Sequence, residues 1–199
     1  MIIRHSCISL AHGKHWLKKF LIRAITLFCV FTTHENVFAS GTEYKIKAAY
    51  LYQFTKFTQW PNDQFTDNSS PIRICVLGRN PFGKLLENFS GKTSQQRSLT
   101  IFYLSSLRNL SSCHVVFISK SEKRRLPKIL QLTRNTPVLT VSDIENFAPQ
   151  GGIIGFVPMR KKVGITINVD ASLTAGAKLS SKLLEVATLV QNRVEVDTP

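Results

Sequence analysis

Short apolar runs alternate with amphipathic segments through most of the chain, and this alternation limits the possible folds severely. The clearest runs cover 72–77, 113–118, 137–141 and 153–157, and they are rich in Val, Ile and Leu. Runs of this kind, separated by helical segments, are typical of a parallel sheet that is buried on both faces. The pattern predicts an α/β fold: one three-layer α/β/α domain with a mostly parallel sheet.

The first helix is predicted over 43–60, with Pro61 ending it. Apolar side chains recur there at steps of three and four residues: Ile46, Ala49, Tyr50, Phe54, Phe57 and Trp60. A stripe at this spacing favours a core-facing surface, and an aromatic ligand site is the alternative.

The remaining elements follow from periodicity and from capping residues. We predict a short helix over 83–89, a strand over 99–104, a basic amphipathic helix over 123–134, a strand over 162–168 and a long helix over 171–191. The strand over 162–168 would form a C-terminal antiparallel hairpin with 153–157, turning near 158–161. Ser119 and Glu122 are spaced as a capping box, and Asp143 and Asp170 are expected to cap helices.

The N-terminal segment predicts export. Basic residues up to Arg23 precede an apolar stretch over 24–31, and Val37-Phe38-Ala39 resembles a cleavage site. We therefore expect residues 1–39 to be a removed signal peptide, 40–191 the folded domain and 192–199 a tail, with no integral membrane segment after processing. An uncleaved amphipathic anchor is the alternative.

Removal of the leader would leave a basic protein. Residues 1–39 hold 5 of the 26 Lys and Arg and one of the 12 Asp and Glu, so residues 40–199 carry a formal charge of +10. Outside the cytoplasm such a charge favours acidic protein partners, anionic lipids or anionic ligands. The basic clusters are not interleaved with aromatic residues, which argues against nucleic-acid binding.

Cys75 and Cys113 are the cysteines that remain after residue 39. In an exported domain two cysteines most simply form one disulfide, and both lie in strands predicted to share a core. A redox pair or a metal pair is the alternative. The cysteines lack Cys-x-x-Cys spacing, and His114 is the only histidine after residue 39, so the sequence gives little support to a metal site.

The sequence offers little catalytic chemistry. Residues 78–84 match Gly-x4-Gly-Lys, but Leu85 stands where a phosphate-binding loop needs Ser or Thr, and Pro81 removes one backbone donor. There is no Gly-x-Ser-x-Gly, and no acidic cluster. We therefore expect a binding module that is not an enzyme and has no cofactor or metal.

Seven segments taken in order resemble the YfiR family. They are 48–61 (AAYLYQFTKFTQWP), 74–83 (ICVLGRNPFG), 113–119 (CHVVFIS), 137–143 (PVLTVSD), 151–156 (GGIIGF), 167–169 (INV) and 179–184 (LSSKLL). The resemblance covers residues from about Tyr44 to Val190.

This resemblance implies a periplasmic α/β/α regulator that represses a membrane diguanylate cyclase by holding its periplasmic sensor region. Release would raise cyclic-di-GMP and favour biofilm formation. The resemblance also implies a homodimer and redox-sensitive disulfides. A second disulfide of the type member has no counterpart among the two cysteines after residue 39, so a switch based on that bridge is not expected.

Two groups of residues are candidate partner or ligand contacts. Lys123, Arg124 and Arg125 could steer an acidic sensor domain, with a solvated helix face as the alternative. Lys178 and Ser180 lie in a family-like segment, where a close-packing serine is the alternative to a ligand contact. A periplasmic small-ligand-binding protein, reading an anionic metabolite at the carboxyl ends of the parallel strands, is the second functional hypothesis.

Overall fold

The structure of the protein is a computed structural model, and it describes residues 36–159 and 162–191. The chain divides into two compact units, residues 1–41 and 42–199. The sheet and the core described below belong to the second unit. Most of the predicted signal segment 1–39, and all of the predicted tail 192–199, lie outside the described residues.

Apart from the first helix, the elements of the described residues are short. The helices are α1 (Asn36–Phe57), α2 (Leu126–Thr133), α3 (Val169–Ala175) and α4 (Ser181–Glu185). The strands are β1 (Thr58–Gln59), β2 (Ile72–Leu77), β3 (Thr93–Ser94), β4 (Arg97–Leu104), β5 (Val115–Ile118), β6 (Leu139–Ser142), β7 (Ile154–Met159), β8 (Lys162–Asn168), β9 (Lys178–Leu179) and β10 (Thr188–Val190). Each predicted strand is present, with its ends displaced by two residues or fewer.

Eight strands form one sheet in the order β10-β8-β7-β6-β5-β2-β4-β3, while β1 and β9 form a separate antiparallel ribbon. The neighbours β4, β2, β5, β6 and β7 run parallel, which confirms the predicted α/β fold with a mostly parallel sheet. After β2 the chain adds β4 on one side, and then returns to add β5 on the other. The order of the strands thus reverses between β2 and β5, which is a topological switch point.

β7 and β8 are antiparallel neighbours, paired from Ile154 with Ile167 to Met159 with Lys162. The turn predicted near 158–161 includes residues 160 and 161, which lie outside the described residues.

The alternating side chains of the central strands fall into two hydrophobic clusters. Ile74 and Val76 of β2 pack in one cluster with α1, whereas Cys75 and Leu77 pack in the other with α2. Successive side chains of a strand point to opposite faces of its sheet. Both faces of β2 are therefore covered by apolar side chains, as its continuous apolar sequence requires.

The first helix ends at Phe57 rather than at residue 60, because Thr58 and Gln59 pair with β9. Its buried face also differs from the predicted stripe. Ala48, Leu51 and Phe54 are buried in the core, while Ile46 and Ala49 are exposed. The prediction of a core-facing helix was correct, but the buried face is rotated around the helix axis by about one residue from the predicted stripe.

No α-helix forms over 83–89 in the described structure, where turns lead to a 3-10 helix at Glu87–Phe89. Asn80 explains the difference, because its side chain accepts from the backbone of Phe82 and donates to the carbonyl of Gly83. Gly83 has a φ of +55°, a left-handed conformation that stops a helix from starting there.

The basic helix predicted over 123–134 is divided in two. Residues Lys120–Arg125 form a 3-10 helix, and α2 begins at Leu126 with Pro127 in its first turn. Proline has no N–H, and the first turn of a helix needs none, so Pro127 is suited to the start of α2. The predicted capping box is present only in part. The Ser119 hydroxyl caps the helix by accepting from Ser121 N, but the Glu122 carboxylate accepts from Arg125 instead of bonding back to Ser119.

The long helix predicted over 171–191 is wrong. Gly176 has a φ of +79° and ends α3, after which β9, α4 and β10 follow. Asn168, rather than the predicted Asp170, caps α3 by accepting from Ala171 N at 2.9 Å. Residues of β10 are extended instead of helical because they pair in parallel with β8. Within the described residues, no helix has both the length and the apolar character needed to cross a membrane.

Candidate functional site

A buried cluster of polar side chains joins α1 to the carboxyl end of β6. The Lys47 side chain is only 2% exposed, and its Nζ lies 2.6 Å from Oδ2 of Asp143. The Tyr44 hydroxyl donates to the same oxygen at 2.7 Å, and Glu43 forms a second ion pair with Lys47. A buried ammonium needs such partners, because an unpaired charge in the core costs several kcal/mol.

Asp143 was predicted to cap a helix, and this prediction is wrong. The described residues after it form turns, and its carboxylate is engaged by Lys47 and Tyr44. Burial, the hydrogen bond to Asp143 and that residue's negative charge raise the pKa of Tyr44. The phenol therefore stays protonated and continues to donate.

Beside this cluster, the loops that follow β2 and β5 enclose an open crevice of about 440 Å³. We call it the switch-point crevice, because it lies where the strand order reverses. It is lined by Tyr44, Arg79, Pro81, Ser119, Lys120 and Ser121. Parallel strands bring their carboxyl ends to one edge, and ligands of open α/β sheets bind at this position.

Contacts between the two loops fix the shape of the switch-point crevice. Arg79 N donates to Oγ of Ser121 at 2.9 Å. Gly78 has a φ of +88°, and a Cβ atom there would lie 2.5 Å from Ser121 Oγ. Only glycine fits this backbone conformation and this close approach. Across the crevice, Lys120 Nζ lies 3.8 Å from Oδ2 of Asp143.

The predicted contacts Lys123, Arg124 and Arg125 lie in the 3-10 helix after β5, and all three are exposed. Arg125 donates from Nε to Glu122 at 2.6 Å, so a local carboxylate offsets its charge. Lys123 and Arg124 form no ion pair with any residue in the described ranges.

The predicted contacts Lys178 and Ser180 lie elsewhere, at the end of α1. Lys178 is exposed on β9, opposite Gln59 of β1. Ser180 precedes α4 and donates its backbone N–H to the Phe57 carbonyl at 2.9 Å. No hydrogen bond or ion pair within the described ranges joins Lys178 or Ser180 to the Lys123–Arg125 segment. The structure therefore does not assemble the five predicted contacts into one site.

An open groove of about 770 Å³ lies between α2 and α3. Pro127 and Leu130 contribute apolar surface to it, above the buried Leu126 and Ile153, and Arg134 contributes a positive charge. Its first residue in the sequence, Leu126, directly follows the basic segment Lys123–Arg125. The groove and the basic segment therefore adjoin along the chain.

The predicted disulfide between Cys75 and Cys113 is present. It links β2 to the residue two before β5, with the two Cα atoms 6.0 Å apart. Among the described residues, no three His, Cys, Asp or Glu side chains are grouped so that they could hold a metal ion.

Comparison with known proteins identifies the family to which the chain is similar. A family model described as YfiR/HmsC-like matches residues 44–188, which is most of the chain and almost all of its described part. No curated protein matches the chain significantly.

Proposed function

Since the chain belongs to the YfiR/HmsC-like family, we propose that it is a periplasmic repressor of a transmembrane diguanylate cyclase. The chain would bind the periplasmic sensor region of the cyclase and lower the synthesis of cyclic-di-GMP. Residues 1–39 would direct export and be removed, residues 40–191 would act as the binding domain, and 192–199 would be a tail. The family match over residues 44–188 carries this proposal, because the family is one of periplasmic regulators of diguanylate cyclases.

The surface around α2 supports a partner that is acidic. Lys123 and Arg124 carry charges that no described carboxylate offsets, and the adjoining groove supplies apolar area from Pro127 and Leu130. Protein interfaces combine an apolar centre with a charged rim that steers association. We propose this basic segment and groove as the contact with the cyclase. We propose a second, separate contact at Lys178 and Ser180 with a second copy of the chain; Lys178 is exposed there, whereas the Ser180 hydroxyl is buried and would only position the segment.

The chemistry of the buried cluster supports a binding protein over an enzyme. Asp143 is held by Lys47 and Tyr44, and His114 is enclosed by Phe65 and Trp60. Both groups thus have structural contacts, although Asp143 Oδ1 and His114 Nε2 form no hydrogen bond within the described residues. The three-layer arrangement and the C-terminal hairpin are part of the same proposal for the domain.

The proposal is tested by measuring cyclic-di-GMP in strains that lack the gene and in strains that overexpress it. A repressor that sequesters its target acts stoichiometrically. Deletion should therefore raise the nucleotide and surface attachment, and overexpression should lower both until the cyclase is saturated. A strain without the cyclase is the control and should respond to neither change. Unchanged nucleotide in both strains, with the cyclase expressed, would refute the repressor and favour the ligand-binding alternative.

A further inference from the structure

The switch-point crevice has the position and size of a small-molecule site. It lies outside the carboxyl ends of β2 and β5, the two parallel neighbours between which the strand order reverses. This is the location at which open α/β sheets bind ligands, because the loops diverge there and leave a gap. Its volume of about 440 Å³ is within the range of small-ligand pockets.

The lining of the crevice is rich in hydrogen-bond donors. The Arg79 side chain forms no ion pair with any residue of the described ranges, although the guanidinium offers five donors. The Lys120 side chain is 64% exposed and its Nζ lies 3.8 Å from Oδ2 of Asp143, a carboxylate that already pairs with Lys47 at 2.6 Å; Lys47 in turn also pairs with Glu43. Arg79 thus has its charge unpaired within the described ranges, and Lys120 is held only loosely, at 3.8 Å from Asp143. The other carboxylate beside the loops, Glu122, is paired with Arg125.

Two hydroxyl groups add to these donors. Ser121 Oγ accepts from Arg79 N, and Ser119 Oγ accepts from Ser121 N. Each hydroxyl accepts in these bonds and keeps its own proton to donate. Gly78 lets the two loops approach closely, since a side chain there would collide with Ser121 and Glu122. The donors are consequently held on a fixed frame formed by both loops.

We infer that the switch-point crevice binds the phosphate group of a small molecule. Arg79 and Lys120 would supply the charge, and the hydroxyls of Ser119 and Ser121 would supply further donors. Donors on four side chains suit a tetrahedral oxyanion, which can accept through three or more oxygens, better than a planar carboxylate with two. The inference concerns the isolated protein and does not depend on the cyclase or on repression.

The test is calorimetric titration of the full chain with inorganic phosphate at low ionic strength. Arg79→Gln and Lys120→Gln should each weaken binding about tenfold or more, because each removes a charge-assisted hydrogen bond. Arg79→Lys should restore part of the affinity. Lys84→Gln is the matched control: it removes one exposed charge from the same β2–β4 connection, at a position that does not line the crevice, and should change the affinity less than about twofold. Circular dichroism verifies that every variant is folded.

Two further probes identify the source of the phosphate. Succinate tests a dicarboxylate, and vesicles containing phosphatidic acid test a lipid headgroup. Free phosphate binding that is lost in both glutamine variants supports a soluble ligand. Vesicle binding that is lost in the same variants supports a lipid source. The inference is overturned if wild-type protein binds neither free phosphate nor the vesicles, if succinate binds more tightly than phosphate, or if both glutamine variants bind as wild type does.

Discussion

At the scale of single residues, the burial of Lys47 carries a large desolvation free energy that its partners must offset. Lysine is rarely buried, yet this side chain is 2% exposed on the inner side of α1. Its ammonium is held by Asp143 and Glu43 and lies 4.4 Å from the centre of the Tyr44 ring. The folded state therefore depends on both members of the Lys47–Asp143 pair being present.

Replacing one member of this pair should destabilise the protein strongly. For Lys47→Met we expect a loss of about 3 kcal/mol in the free energy of unfolding, since Asp143 is left buried without its main partner. Lys45→Met, an exposed position on the same helix, should change stability by less than about 0.5 kcal/mol. Urea denaturation measures both. A double variant, Lys47→Met with Asp143→Leu, should lose less than the sum of its single changes; simple additivity would contradict the coupling.

His114 makes stability depend on pH. Its side chain is buried, its ring stacks on Phe65 with centroids 4.5 Å apart, and its Nδ1 accepts from Arg73 N at 3.0 Å. Burial, together with the positive charge of Arg73, lowers the pKa of His114 to about 4. The unfolded chain thus takes up a proton at a higher pH than the folded chain, so the contribution is complete above about pH 6.5 and is lost toward pH 4.

We expect His114 to lower the free energy of unfolding by about 2 kcal/mol between pH 7 and pH 5, where carboxylates remain ionised. His114→Asn should remove this part of the slope, because an amide oxygen can replace Nδ1 as acceptor but does not titrate. The measurement is urea denaturation at both pH values. Equal slopes for wild type and variant would show that His114 is not responsible.

At the scale of elements, one covalent bond ties two neighbouring central strands. Cys75 lies within β2, and Cys113 precedes β5, so the bridge closes a separation of 38 residues between strands that are already hydrogen-bonded. Both sulfurs belong to the cluster that packs against α2. The bridge therefore restrains the unfolded chain more than it alters the native sheet.

Protein that lacks residues 1–39 and is denatured without reductant should contain no reactive thiol. Changing both Cys75 and Cys113 to Ser should lower the free energy of unfolding by about 2–4 kcal/mol, because the unfolded chain gains conformational entropy. Thiol labelling followed by mass spectrometry tests the first statement, and denaturation of oxidised and reduced protein tests the second. High-yield labelling of both cysteines in unreduced protein would contradict the bridge.

The sequence predicted elements whose cause is local and missed those whose cause is distant. The apolar runs of β2 and β5 indicate buried strands without further information, and both are present. Asp143 resembled a helix cap, because its real partner, Lys47, is 96 residues away in the sequence. The break at Gly176 had only one local signal, a glycine within a helical pattern. The switch-point crevice needed the strand order, which places the loops after β2 and β5 side by side.

At the scale of the whole molecule, the net positive charge affects how fast the protein associates with other molecules. The chain carries 26 Lys and Arg against 12 Asp and Glu. Long-range attraction of this kind raises the association rate with an acidic protein, and salt screens it. The exposed, unpaired Lys123 and Arg124 lie beside the groove at α2, so they should contribute most to a partner that docks there.

Reversing both charges, Lys123→Glu with Arg124→Glu, should slow association with the periplasmic region of the cyclase about tenfold at low salt and leave the thermal midpoint nearly unchanged. The matched control is Lys84→Glu with Arg108→Glu, which makes the same change in net charge at two other exposed positions. Surface plasmon resonance at several salt concentrations measures the rates. Equal slowing by both pairs would mean that only net charge matters.

The ribbon of β1 and β9 joins two parts of the chain that are far apart in the sequence. Thr58 pairs with Leu179, so the segment that closes the end of α1 is supplied more than a hundred residues later in the chain. Closing so long a loop has a large entropic cost, and topologies rich in such long-range contacts fold slowly. If the chain is exported amino terminus first, as proposed, β1 has no strand to pair with until β9 has also crossed the membrane. In the proposed export, the ribbon would form only after nearly the whole domain has crossed the membrane.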